Sequence, residues 1–216
     1  NHTAPVRYWI HNNMITINGR KMGKSYNNVI KLTELFSGNH PILEKAYHPM
    51  TVRFFILQTH YRSTLDFSNE ALQASEKGLK RLWEAHEKLQ AMHYEPQEGT
   101  TDPELESRIP KLVAEFNEFM DDDFSTAKVM ANMFEIVPVI NSMKDKTIPV
   151  SAISKQTFEL LQGSFKTWLE DIFGLKSVSE ADNARLQGVM QLLIDIRKEA
   201  KGKKDYGKVT IRFRNL

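Results

Sequence analysis

The chain has 216 residues, 41% hydrophobic and 26% charged, which is enough for one large or two small domains with a buried core. No stretch approaches the roughly 18 consecutive apolar residues of a membrane helix, and the first residues lack the apolar run of a signal peptide. There is no cysteine, which excludes disulfides and thiolate metal sites within the chain and favours an intracellular, cytoplasmic protein. The first residue is Asn1, not Met, which suggests an excised piece of a longer protein. The net charge of +2 hides an asymmetry. Residues 1–60 hold seven Lys/Arg against two Asp/Glu, residues 61–194 fourteen against twenty-two, and residues 195–216 eight against three. Basic ends around an acidic middle suit contact with phosphate, as nucleotide or nucleic acid, on one side only.

In chain order, Met14–Ile17 is a short β-branched run that stops at the turn signal Asn18-Gly19. A second basic turn, Arg20–Ser25, follows at once. Thr51–Gln58 is apolar and too short for periodicity to separate strand from helix. From Ser68 the pattern is helical: Ser68 caps, Glu70 sits in the first turn, and Leu72, Ser75, Leu79, Leu82, His86 and Leu89 share one face. Residues 95–102 read as a polar linker. A second helix is expected from Pro103 with Asp102 as cap, burying Leu105, Ile109, Leu112, Phe116 and Phe119. After the acidic run Asp121–Asp123, Ser125 is expected to cap a third helix that buries Val129, Met133, Phe134, Val137, Ile140 and Met143 and bends near Pro138. A fourth is expected from Ser151 to Phe173, stopping at Gly174, and a fifth from Glu180 to Lys201. The fold class expected is mainly α: a short α/β portion followed by an antiparallel helical bundle.

One segment has a chemical character of its own. Lys21-Met22-Gly23-Lys24-Ser25 places two ammonium groups and a hydroxyl on a glycine-containing turn directly after a β-rich run. Such a turn suits phosphate oxygens whose charge grows as a nucleotide is split. Taken alone, lysine pairs beside turns are common on solvated surfaces. The order of its neighbours is more specific: Tyr8-Trp9-Ile10-His11, a strand, Asn18-Gly19-Arg20, the KMGKS run, then Asn27-Asn28. This resembles the second ATP signature, the KMSKS loop, of class I aminoacyl-tRNA synthetases, with Gly23 in place of the usual Ser. Val52–Leu57 with His60–Ser63 and Leu65–Ser68, Phe119–Thr126, and Ile196–Lys201 with Lys204–Tyr206 resemble, in order, further segments of the cysteine-specific family. The tail 209–216 departs from that family's pattern.

The resemblance implies three regions: residues 1–66 as the C-terminal part of a class I catalytic domain with its loop and junction, 67–178 as a tRNA-binding, DALR-like helical bundle, and 179–216 as a C-terminal helix and basic tail. It implies ATP, with Mg2+, as the nucleotide, and cysteine and its tRNA as the other substrates, in a cytoplasmic monomer. By carry-over, Lys24 and Lys21 are the catalytic cations and Lys24, Lys21 and Ser25 the ATP-binding residues. Arg62, Arg197, Lys198 and Lys201 are candidate tRNA contacts. The family's HIGH-type motif and zinc ligands lie upstream of the matching segment, so no metal ligands are expected in this chain. Cysteine would be held through the part of the parent protein that precedes this stretch, and the chain alone is expected to be inactive.

Other residues invite a role and have a plainer alternative. Trp9 and His11 could line an adenylate pocket, but packing or a satisfied hydrogen bond is the expectation. His60 and Arg62 could meet tRNA or simply hold the junction. Three adjacent aspartates do not converge on one ion without further ligands, so Asp121–Asp123 are expected to serve a helix N-terminus. The competing functional reading is a stand-alone helical RNA-binding or interaction module without ATP chemistry, against which a pyrophosphate-type loop counts. A closer competitor is a related ligase that passes the activated group to a different amine acceptor.

Overall fold

In the computed structural model, residues 6–177 are described, together with Leu192 and Asp195. The chain divides into two units, Asn1–Ser177 and Val178–Leu216. Of the second, only Leu192 and Asp195 are described, both helical and exposed. The expected helix Glu180–Lys201 and the divergent tail otherwise lie outside the described residues.

The first unit begins with a hairpin. Strand β1 (Ile15–Ile17) pairs antiparallel with β2 (Arg20–Lys21), with Ile17 opposite Arg20. The turn between them has φ of 50° at Asn18 and 75° at Gly19. Both central residues are left-handed, as the turn that matches strand twist requires, and Asn-Gly accepts that at least cost. On its other side β1 pairs parallel with β3 (Leu65–Phe67), which gives the sheet order β2-β1-β3. Between β2 and β3 run two helices, α1 (Leu32–Ser37) and α2 (Pro49–Leu57). The ambiguous run Thr51–Gln58 is therefore helix. Pro49 in its first turn and the His48 ring accepting from the Met50 amide start it. Ile17, Leu35, Tyr47, Val52, Phe55, Phe67 and Leu72 form one buried cluster under this sheet.

The rest is helical. Helix α3 (Asn69–Gln90) is capped by the Ser68 hydroxyl, which accepts from the Ala71 amide, and the whole expected face, Leu72 to Leu89, is buried. Helix α4 (Pro103–Asp121) starts with Asp102 accepting from the Glu104 and Leu105 amides. Its buried stripe is Leu105, Ile109, Val113 and Phe116; Leu112 and Phe119 are only half-buried. Helix α5 (Thr126–Lys144) continues through Pro138, whose ring faces solvent, and Phe134 is half-buried there. The linker Asp122–Ser125 is short enough to make α4 and α5 neighbours that run in opposite directions. Helix α3 packs on α2 and α5, and α4 packs on α5 and α6 (Lys155–Lys166).

The start of α6 corrects the expectation of a helix from Ser151. The Ser151 hydroxyl is taken by Thr100 at 2.7 Å, and Ile153 is extended (φ −120°, ψ 158°). The cap is Ser154, whose hydroxyl accepts from the Thr157 amide. Glu106 of α4 fixes that choice from across the interface by accepting from the Ser154 amide (2.7 Å), the Ser154 hydroxyl (2.7 Å) and the Thr157 hydroxyl (2.8 Å). Beyond Lys166 the chain continues as a π-helical segment, Thr167–Ile172. It ends where expected, at Gly174, with φ of 60°. A side chain there would also meet the Arg53 guanidinium at 3.1 Å, and Arg53 Nε donates to the Phe173 carbonyl at 2.6 Å.

Candidate functional site

The KMGKS run is the exit of the hairpin. Met22 still donates to the Ile15 carbonyl at 3.0 Å and tucks its side chain against the core cluster. The backbone then departs from the sheet under the control of one buried side chain, Asn28. Asn28 Nδ2 donates to the Lys21 carbonyl (3.1 Å), and Asn28 Oδ1 accepts from the Gly23 amide (2.9 Å). An amide that both donates and accepts is what it takes to close a loop on both sides of Met22. Lys24–Tyr26 make a single 3-10 turn, with Tyr26 donating to the Gly23 carbonyl and Asn27, at φ 50°, ending it.

The hairpin is also pinned from the far side of the sheet. One carboxylate oxygen of Asp66 in β3 accepts from the Thr16 hydroxyl (2.5 Å) and from the Gly19 amide (2.7 Å), while Asn18 donates to the Phe67 carbonyl. The turn that precedes the lysines is therefore fixed by side-chain contacts as well as by its own geometry.

On this rigid base Lys21, Lys24 and Ser25 are exposed together. Among the described residues neither lysine is in an ion pair. Arg20 is engaged: its guanidinium lies 4.5 Å from the centroid of the Tyr26 ring, a cation–π contact. Gly23 has an ordinary extended backbone, but a β-carbon on it would stand 3.3 Å from Tyr26 Cδ2. The glycine that replaces the usual Ser thus sits where Tyr26 folds back over the loop. Two unneutralised ammonium groups and a hydroxyl on a pinned turn can bind a polyanion and meet charge that develops on it. Among the described residues no three His, Asp or Glu side chains converge on a possible metal position.

The other sequence candidates fall elsewhere. Trp9 Nε1 donates to the His11 ring, and both side chains stay on the surface, so the hydrogen bond is satisfied without burial. Arg62 belongs to a cluster at the α4–α5 joint. Asp123 accepts from the Tyr61 hydroxyl (2.5 Å) and pairs with Arg62 Nε (3.0 Å), while its carbonyl oxygen is 3.1 Å from His60 Nε2. The Tyr61 hydroxyl, and then the Asp123 charge, hold Arg62 still more firmly in its cationic form. This corrects the expected helix-N-terminal role of the aspartates. Asp121 ends α4, Asp122 is its C-cap, and Asp123 turns away at φ 65° to bind residues about sixty positions earlier. No acid lies in the first turn of α5, and the Ser125 hydroxyl makes no capping bond. Arg197, Lys198 and Lys201 lie outside the described residues. Asn28, Asp66 and Tyr26 were not among the sequence candidates. Asn28 and Asp66 stand within the segments that carry the family resemblance, but their sequence context gives neither a role.

Comparison with known proteins gives the arrangement a family. Residues 1–77 match the model of the tRNA synthetases class I (C) catalytic domain, and residues 115–177 match the DALR domain. The cysteine–tRNA ligase of Cytophaga hutchinsonii is 44% identical over 209 residues, covering 97% of this chain and 41% of that protein. Those of Bacteroides thetaiotaomicron and a Sulfurihydrogenibium species are 46% and 34% identical, each covering 93% of the chain. The chain spans only 40% to 43% of the length of these curated relatives. The loop, the sheet that bears it and the helices that follow thus fall in the order the matches require, and the chain belongs to the cysteine–tRNA ligase family of class I tRNA synthetases, whose C-terminal part it matches.

Proposed function

We propose that this chain supplies the second ATP loop and the tRNA-binding helices of a cysteine–tRNA ligase, which activates cysteine with ATP and passes it to the 3′ end of its tRNA. The observation that carries the reading is the acid-free pair Lys21 and Lys24 on a turn whose backbone Asn28 holds on both sides. In the activation step Lys24 contacts the ATP phosphates and stabilises negative charge on the departing pyrophosphate. Lys21 assists through its field, and Ser25 hydrogen-bonds phosphate or shapes the turn. Because that charge is largest in the transition state, these contacts lower the barrier more than they tighten ATP binding.

The nucleotide brings Mg2+ with it in this reading. Zinc belongs, in this reading, to the part of the full-length ligase that carries the family's zinc ligands. The reading divides the chain as catalytic-domain portion 1–66, tRNA-binding bundle 67–178, and basic C-terminal segment 179–216. Arg62, Arg197, Lys198 and Lys201 are the proposed tRNA contacts, in a cytoplasmic monomer. No helix of the described residues is long and apolar enough to cross a membrane. With only part of the catalytic domain present, the chain alone is inactive in aminoacylation.

The test is Lys24→Ala in the full-length protein, measured by cysteine-dependent ATP–pyrophosphate exchange. The expected result is a fall in kcat of about a hundredfold, the scale for losing one preorganised charge contact, with KM for ATP changed far less. Unchanged exchange removes Lys24 from the mechanism.

A further inference from the structure

We infer that Asp123 is a positioning residue for the loop that bears Lys21 and Lys24, tying the joint between α4 and α5 to the strand from which that loop hangs. The inference rests on the ligase reading above, because it assigns Asp123 an effect on the activation step.

Among the described residues, three sets of polar contacts join the stretch matched to the catalytic domain with the stretch matched to the DALR domain. Arg53 donates to the Phe173 carbonyl, the Thr126 hydroxyl donates to the Leu57 carbonyl at 2.6 Å, and Asp123 gathers His60, Tyr61 and Arg62. The first two end on helix α2. Only the third ends on the segment that supports β1. The Tyr61 carbonyl accepts from the Asn13 amide at 2.9 Å, the Arg62 carbonyl accepts from Asn13 Nδ2 at 2.7 Å, and the Leu65 amide donates to the Met14 carbonyl at 3.2 Å. Asn13 and Met14 lead straight into β1, and β1 into the hairpin and the lysines. Every link from Asp123 to the loop is thus a hydrogen bond, an ion pair or a strand pairing.

The backbone at the joint adds to this. Asp123 and Phe124 are consecutive non-glycine residues in the left-handed region, at φ 65° and 55°. Two such residues in a row persist only where surrounding contacts hold them. Here backbone bonds from the Phe124 amide to the Met120 carbonyl and from the Ser125 amide to the Phe119 carbonyl close the turn, and Asp123 adds both carboxylate oxygens and its carbonyl oxygen, while Phe124 remains 57% exposed. A joint that is strained, lies between two helices of the proposed tRNA-binding bundle and is bonded to the support of the ATP loop can pass a shift of those helices to the lysines. Catalytic groups tolerate displacement poorly, and about an ångström can cost a hundredfold in rate.

The experiment uses the full-length protein with Asp123→Asn, which keeps the shape but sets an amide against Arg62, and Tyr61→Phe, which deletes one hydroxyl and is the milder variant should the first fail to fold. Cysteine-dependent ATP–pyrophosphate exchange is measured per titrated active site, so that loss of folded protein does not count. The expected result is a tenfold or greater fall in kcat for Asp123→Asn and a smaller one for Tyr61→Phe, with KM for ATP within about twofold. A cycle with Lys24→Ala then isolates the route. If Asp123 acts through the loop, its substitution has little further effect once Lys24 is gone. A kcat per active site equal to that of the parent in both variants, or full additivity with Lys24→Ala, overturns the inference while leaving the ligase reading intact. Absence of cysteine-dependent exchange in the unsubstituted protein overturns the reading itself.

Discussion

The hairpin region and the helical bundle are held by different forces. Around the loop, geometry is set by a few polar side chains: Asn28 closes the turn and Asp66 pins the hairpin. In the bundle it is set by wholly buried apolar residues such as Phe116, Val129, Met133, Ile136, Ile140, Leu161 and Phe165. Burying each such side chain contributes about 1.5–3 kcal/mol, so stability accumulates there. A polar pin adds about 1 kcal/mol net, but it fixes direction, which apolar packing does less sharply. Substitutions in the bundle should therefore lower stability first, and substitutions at the pins should lower rate first.

The sharpest way to break that contrast lies in the bundle. Phe116 is fully buried and meets Trp168 edge-on, with ring centroids 5.7 Å apart. Phe116→Ala should cost about 3–5 kcal/mol, read as a shift in the denaturant midpoint, because it removes both the transfer term and the packing around it. The exchange rate per folded molecule in the full-length protein should change little. A large fall in that rate would show that the bundle core itself sets the loop.

These two kinds of order were not equally legible in the sequence. The face of α3 was read correctly at all six positions because the helix presents one stripe to its neighbours and polar residues elsewhere. The stripe of α4 differs at two positions: Val113 is buried in place of Leu112, because periodicity alone does not choose between adjacent apolar residues, and Phe119 near the helix end is only half-buried. The start of α6 was missed because Ser151 and Ser154 are equally good caps in isolation. Glu106, nearly fifty residues away, decides between them. Asp123 was missed for the same reason: its partners lie about sixty residues earlier. The loop, Asn28 included, is legible as an ordered series of motifs, but the closing role of Asn28 is not, because nothing local marks which asparagine turns its amide inward.

Asn28→Ala probes the other side of the contrast. It strands the Gly23 amide and the Lys21 carbonyl at once, although both can reach water when the loop loosens. The expected loss of stability is about 1–3 kcal/mol at most, smaller than for Phe116→Ala. The expected loss in kcat for ATP–pyrophosphate exchange in the full-length protein is roughly tenfold, because Lys21 and Lys24 lose their common frame. If stability fell and the rate per active site did not, Asn28 would be structural only.

Glu106 is a polar pin inside the bundle and so a direct test of whether pins there serve stability. Its burial raises the carboxyl pKa, but the Ser154 amide, the Ser154 hydroxyl and the Thr157 hydroxyl outweigh that, and the net shift is downward. A carboxylate with a lowered folded pKa stabilises the fold above its unfolded value, about 4.3, and that contribution is lost as pH falls through the folded value. Melting temperature followed from pH 6 to pH 3 should drop less steeply in Glu106→Gln than in the parent chain. Parallel curves would mean that the α4–α6 contact does not depend on the charge.

The smallest effect, and the one that sharpens the comparison most finely, is Gly23→Ser, which restores the usual residue of the loop. Two terms oppose each other. Replacing glycine where the backbone is extended restricts the unfolded chain and should add about 0.4–1 kcal/mol. Against it, the new β-carbon would stand 3.3 Å from Tyr26 Cδ2, so the ring must give way by a few tenths of an ångström. Tyr26 is 45% exposed and can swing outward, but the Arg20 guanidinium, 4.5 Å from the centroid of its ring, resists. The two terms should nearly cancel, leaving a change within about 1 kcal/mol. In a Tyr26→Ala background the steric term vanishes, and Gly23→Ser should then be stabilising. Differential scanning calorimetry of the four chains decides the matter. Equal effects of Gly23→Ser with and without Tyr26 would mean that the ring moves freely and that the loop is positioned by Asn28 alone.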